Sequence, residues 1–126
     1  MYFDEDLVLE IRLNTLYRKV DKFVIAEATR DHAGRNKKFN LDIKNFDKFK
    51  DKIEYLIIDD LPENVKSNKK DWHENHMRDQ FQRNALARGY KDCEPDDLIM
   101  ISDIDEIPDP KKITEFNLKK NMHVYF

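Results

Sequence analysis

One cysteine and two glycines in 126 residues, with no long apolar run, already narrow what this chain can be. The single thiol, Cys93, permits no intramolecular disulfide and no thiolate metal cluster within one chain, which fits a reducing compartment. It lies in a turn with no evident catalytic partner. So few glycines leave no glycine-rich loop of the kind that cradles a nucleoside triphosphate. No apolar stretch approaches the roughly 18–20 residues of a membrane span, and the start does not read as a signal peptide. A soluble, cytoplasmic protein is expected. A charge of one sign is missing too: 23 basic and 26 acidic residues are finely mixed, for a net charge of −3. That excludes an electrostatic case for nucleic acid or an anionic membrane as the main partner.

What is present is enough for one domain, residues 1–126, with a hydrophobic core of its own. Met1-Tyr2-Phe3 reads as the tail of a strand entering a helix, and His123-Val124-Tyr125-Phe126 as a strand just begun. The expectation is therefore a piece of a longer catalytic domain. There is no internal repeat and no low-complexity tract.

Asp4 or Asp6 can cap a helix running to about Lys19, with Leu9, Leu13, Leu16 and Val20 along one face. Residues 22–28 (KFVIAEA) read as a strand, 29–40 as a polar loop with Gly34, and 42–50 as a short helix with Ile43, Phe46 and Phe49 inward. Residues 53–58 (IEYLII) form the next strand, and 63–70 a lysine-rich loop. Asp71 caps a long helix to about Arg88, with Gly89 as its stop. Residues 91–97 turn into a third strand at 98–101, followed by a helix over about 110–119 and the final strand. Strands alternating with helices predict an α/β fold with a mostly parallel sheet and helices on both faces. Right-handed crossovers would bring Glu27, Asp59-Asp60 and the Asp103/Asp105/Glu106 cluster to one sheet edge.

The most informative stretch is Leu98-Ile99-Met100-Ile101-Ser102-Asp103-Ile104-Asp105-Glu106-Ile107-Pro108. Three carboxylates within four positions at the end of a buried strand are expensive unless a cation shares the site. The carboxyl ends of strands in open α/β sheets are also where ligands bind. On an extended backbone Asp103 and Asp105 would point the same way. Such a pair suits Mg²⁺ or Mn²⁺, with a substrate diphosphate supplying further oxygens. The plain alternative is an acidic loop that caps the following helix. Glu27 closes a buried strand before a loop holding Arg30, Arg35, Lys37 and Lys38. It could accept hydrogen bonds from a base or ribose while the cations meet phosphate, or be a solvated strand end.

Other features carry less. His73 and His76 are three apart around Glu74, the wrong spacing for a zinc protease pair and without a third ligand. Trp72 reads as a packing residue. Arg78, Arg83 and Arg88 recur every five residues, which spreads them around a helix as a solvated pattern does.

LVLEIRLNTLYRKVDKFVIAEATRDHAGRNKKFN, the tryptophan-led helix ending QFQRNALARGY, and DDLIMISDIDEIP together resemble glycosyltransferase family 17. The order and spacing match over almost the whole chain. The resemblance implies a GT-A fold, a Rossmann-like nucleotide-sugar domain with a metal-binding Asp-x-Asp. It also implies transfer of a sugar, N-acetylglucosamine in the characterised member, from a UDP donor to a glycan acceptor with inversion. It places Asp103 and Asp105 at the metal, and Asp103, Glu27, Arg30 and Arg83 about the donor. Glu106 beside them is one candidate for the base, and a carboxylate beyond Phe126 is equally one. Animal members carry a membrane anchor that is not seen here, and members are longer, so much of the acceptor-binding half is expected to lie outside this chain. Two other classes stay open: an inactive fragment or interaction module that keeps the fold, and a metal-dependent nucleotidyltransferase.

Overall fold

A computed structural model describes residues 2–31, 34–62 and 72–113, the side chains of 72–75 excepted. The expected loop at 63–70, the Asp71 cap, the roles of Trp72 and His73, the helix beyond Ile113 and the strand at 123–126 lie outside the described residues.

Helix α1 spans Asp6–Leu16. Its three- and four-residue leucine spacing works as read: Leu9, Leu13 and Leu16 are all buried. The start differs from expectation. Glu5 occupies the cap position and its carbonyl accepts the Leu9 N–H at 2.8 Å, but its side chain does not cap the helix; the carboxylate instead takes the N–H groups of Phe3 at 2.8 Å and Asp4 at 3.0 Å. Asp6 accepts from the Tyr2 hydroxyl. The helix also stops three residues before Lys19. The Lys52 ammonium covers the chain leaving it, donating to the carbonyls of Tyr17 at 3.0 Å and Val20 at 2.8 Å.

Strands β1 (Phe23–Ala28) and β2 (Ile53–Ile58) pair in parallel, Phe23 opposite Ile53 through Ala28 opposite Ile58. Between them runs a 3₁₀ helix, Ile43–Phe49, kinked at Phe46 and capped by Asp42 on the Lys44 N–H at 3.0 Å. Side chains alternate across the pair as a pleat requires. Phe23 and Ile25, with Ile53 and Tyr55, join the leucines of α1 and the buried Phe46 and Phe49 on one face. Val24, Ala26 and Ala28, with Leu56 and Ile58, meet Ala85 and Leu86 on the other. These last belong to helix α2, Trp72–Ala85, and the 3₁₀ turn Leu86–Gly89 that continues it. The α/β class, the parallel pairing and helices on both faces are therefore observed.

The third strand is not. Residues 98–101 form no ladder, and Leu98, Ile99 and Ile101 remain 45%, 43% and 55% exposed. The local composition suits a strand, but strand formation needs a partner supplied by the rest of the chain. The outer edge of β1 is partly taken: the Tyr2 N–H bonds the Ala26 carbonyl at 2.9 Å. The apolar segment instead lines a groove with Val24, Ile25 and Tyr90. A short helix α3, Pro110–Ile113, follows the acidic turn.

Gly89 does more than stop a helix. A Cβ there would stand 2.4 Å and 2.8 Å from the two methyls of Val24, so the turn can approach β1 only without a side chain. Gly89→Ala is expected to lower stability by roughly 1–3 kcal/mol, as overpacking does. Urea unfolding would show this as a lower midpoint at unchanged slope.

Candidate functional site

At the carboxyl ends of β1 and β2 opens a cavity of about 460 Å³. Its walls come from the chain before α1 and Val8 within that helix, the end of β1 and the loop that follows, Leu61 after β2, helix α2 and the acidic turn. Among the residues predicted from sequence, Arg30, Arg83, Asp103 and Asp105 all line it. The expected convergence is seen in part: Asp103 and Asp105 reach the cavity, and Glu27, Asp59, Asp60 and Glu106 do not line it. Leu61 rather than Asp59 or Asp60 lines the cavity behind β2, since Asp60 is drawn away by the Arg88 guanidinium at 2.6 and 3.0 Å.

The Asp-x-Asp backbone is a turn, not an extended strand end. The Glu106 N–H donates to the Asp103 carbonyl at 3.2 Å, closing a four-residue turn with Ile104 and Asp105 at its centre. The period-two argument for aligned carboxylates therefore does not apply. What brings the two side chains to one cavity is the turn itself. Glu106 completes it: its carboxylate accepts the Asp103 N–H at 3.0 Å, and it does not line the cavity.

Arg83 reaches across from α2. Its guanidinium donates to Asp103 Oδ1 at 2.7 Å and to Asp79 Oδ2 at 3.3 Å. Partial burial works against the charged form, but Asp79 and Asp103 outweigh it and hold Arg83 above its ordinary value. The arginines do not behave alike. Arg88 is exposed, whereas Arg78 is 9% exposed and lines the cavity with its guanidinium against Gly34. Gly34 has φ of +79°, and a Cβ there would stand 3.0 Å from the Arg78 guanidinium carbon. The backbone conformation favours glycine at this point, and a side chain there would press on the Arg78 guanidinium.

Glu27 is fully buried and held by the chain itself. Its carboxylate accepts from the Lys37 ammonium, the Tyr55 hydroxyl at 2.7 Å, and the N–H groups of Asn40 at 2.8 Å and Leu41 at 3.2 Å. Burial alone would push the Glu27 carboxyl up. These donors more than compensate and hold it below the ordinary carboxylate range. The same arrangement pushes the Tyr55 hydroxyl well above its usual value, burial first and then the charge of Glu27. The effect is to pin the far end of the 29–40 loop against β1. At the near end Asp31 accepts Arg35 N–H bonds at 2.9 Å from the backbone and 2.8 Å from the side chain.

Oxygen donors suited to a hard cation are available at the turn. Arg83 engages only Oδ1 of Asp103, and Asp105 accepts no side-chain hydrogen bond among the described residues. No cluster of three or more metal-ligating side chains occurs among the described residues. Any Mg²⁺ or Mn²⁺ seated on Asp103 and Asp105 would have to take its remaining oxygens from water or substrate phosphate.

In open α/β sheets ligands bind at the carboxyl ends of the strands, which is where this charged cavity lies. Residues 1–124 match the family model of glycosyltransferase family 17, and the chain belongs to that family. No curated protein and no solved structure matches it. The family makes the chemistry glycosyl transfer, with a sugar donor and an acceptor. No helix among the described residues is long and apolar enough to cross a membrane.

Proposed function

We propose that this chain carries the donor site of a metal-assisted glycosyltransferase of GT-A type, moving a sugar such as N-acetylglucosamine from UDP to a glycan acceptor with inversion. The observation that supports this reading is the shared cavity: the two carboxylates of the turn, Arg83 bonded to one of them at 2.7 Å, and Arg30 and Arg78 all line one space of about 460 Å³. A nucleoside diphosphate needs both halves of that arrangement. Asp103 and Asp105 would hold Mn²⁺ or Mg²⁺, which when bound neutralises charge on the departing diphosphate. The arginines meet the phosphate oxygens through planar donor forks and need no change of protonation to do so. Glu106, turned to the Asp103 backbone, serves through the shape of the turn. Glu27 serves through the loop that carries Arg30, rather than by touching the ribose.

Titration calorimetry tests this. UDP should bind more tightly with Mn²⁺ than in EDTA, and Asp105→Ala should remove that difference. Equal binding with and without the metal would overturn the metal assignment. No UDP binding at all would overturn the donor site.

A further inference from the structure

We infer that Arg12, on α1, is a positioning residue that holds the acidic turn in the shape that presents Asp103 and Asp105 to the cavity. This rests on the donor-site reading above and assigns how the site is kept in shape. Arg12 is about ninety residues away in sequence, yet among the described residues its guanidinium bonds only the turn and the adjoining Ser102. One terminal nitrogen donates to the carbonyls of Asp103 at 2.8 Å, Glu106 at 3.0 Å and Ile104 at 3.3 Å. The other donates to the Ser102 hydroxyl at 2.6 Å, whose oxygen lies 3.2 Å from the Glu106 carbonyl.

Three carbonyl oxygens converging on one point repel one another unless a cation sits among them. The turn also lacks the support a strand would give, because residues 98–101 join no ladder. Its fixed point is therefore α1, which is locked by Leu9, Leu13 and Leu16 at 2%, 0% and 1% exposure. Arg12 works from behind. It lines the apolar groove beside Leu98–Ile101, not the acidic cavity, so it meets the backbone of the turn and not a ligand. Burial lowers its proton affinity, with Glu106, Asp103 and Asp105 opposing. A lysine would bring a single ammonium on a shorter reach, unable to serve the hydroxyl and the carbonyls in the same fork.

The test compares the full chain with Arg12→Lys and Arg12→Met. The readouts are UDP calorimetry in Mn²⁺ and in EDTA, the resonance spectrum of bound Mn²⁺, and thermal melting. Both variants should lose about 10- to 100-fold in the Mn²⁺-dependent part of UDP affinity, the range seen when an outer partner of a metal ligand is removed. UDP affinity in EDTA should stay near the parent value. A merely structural role would instead lower both affinities together with the melting temperature. If Arg12→Met does not fold, Arg12→Lys decides. Parent-like metal dependence in a folded variant overturns the inference alone. A parent chain whose UDP binding ignores Mn²⁺ overturns the donor-site reading, and this inference with it.

Discussion

Glu27→Leu is expected to cost the fold about 3–5 kcal/mol, the largest single-residue loss of stability foreseen for this chain. The change removes a carboxylate that is fully buried and leaves four donors facing apolar carbon: the Lys37 ammonium, the Tyr55 hydroxyl and two backbone N–H groups. Lys37 is 12% exposed and can recover some water, but the N–H of buried Leu41 cannot. A fall in melting temperature on the order of 10 °C follows. The pH dependence gives a second check. The folded protein holds the Glu27 carboxyl below its ordinary range. Its contribution is therefore complete above the unfolded value of about 4.3 and fades as pH falls through the folded value. Melting curves of parent and variant should differ most near neutrality and begin to converge only once the pH has fallen below the unfolded value. A difference that persists undiminished at low pH would show that Glu27 acts by packing alone.

Asp103→Ala should reduce sugar transfer by on the order of 10²–10³-fold, the scale of losing one preorganised stabiliser of developing charge. Two effects combine at this residue. Half of the proposed cation seat disappears, and the Arg83 guanidinium loses its 2.7 Å partner on the turn. Asp103→Asn separates them, because an amide oxygen can still accept from Arg83 while giving a cation a weaker seat. If Asn and Ala variants are equally impaired, the cation seat dominates. If Asn recovers most of the rate, the Arg83 contact does. Measuring release of UDP from UDP-sugar, with Mn²⁺ varied, distinguishes a raised metal requirement from a lost maximal rate. A parent-like rate in both variants would remove Asp103 from the site.

The parts legible from sequence are those whose cause is local. Residues 53–58 form a strand with the bounds read from their apolar run, and β1 starts one residue inside the expected stretch. Residues 98–101 have similar chemistry and form no strand, because pairing is decided by what else reaches the edge of β1. Glu27 had a readable signal: it shares strand parity with Phe23 and Ile25, so its side chain goes to the packed face rather than to a ligand. Arg12 had one as well. It lies three residues after Leu9 and four before Leu16, on the face α1 turns inward, where a cation needs a reason to be. Arg78 stands seven residues before the buried Ala85 on α2, two helical turns away on the same side. Its five-residue spacing from Arg83 hid this. What no local pattern carries is that Arg12 and Asp103, ninety-one residues apart, share one hydrogen bond of 2.8 Å.

The parallel register gives the two flanks of β1 different chemistry. The N–H groups of Phe23 and Thr29 donate to Lys52 and Ile58 across the pair, so amides of odd number point to β2 and even ones point away. On the outward side, among the described residues, the Ala26 carbonyl alone has a backbone partner. Val24 and Ala28 thus present main-chain groups in the spacing that an added extended segment would match. The sheet can grow in that direction only past the place where Tyr2 is moored, so whatever chain lies alongside would take its reading frame from that bond.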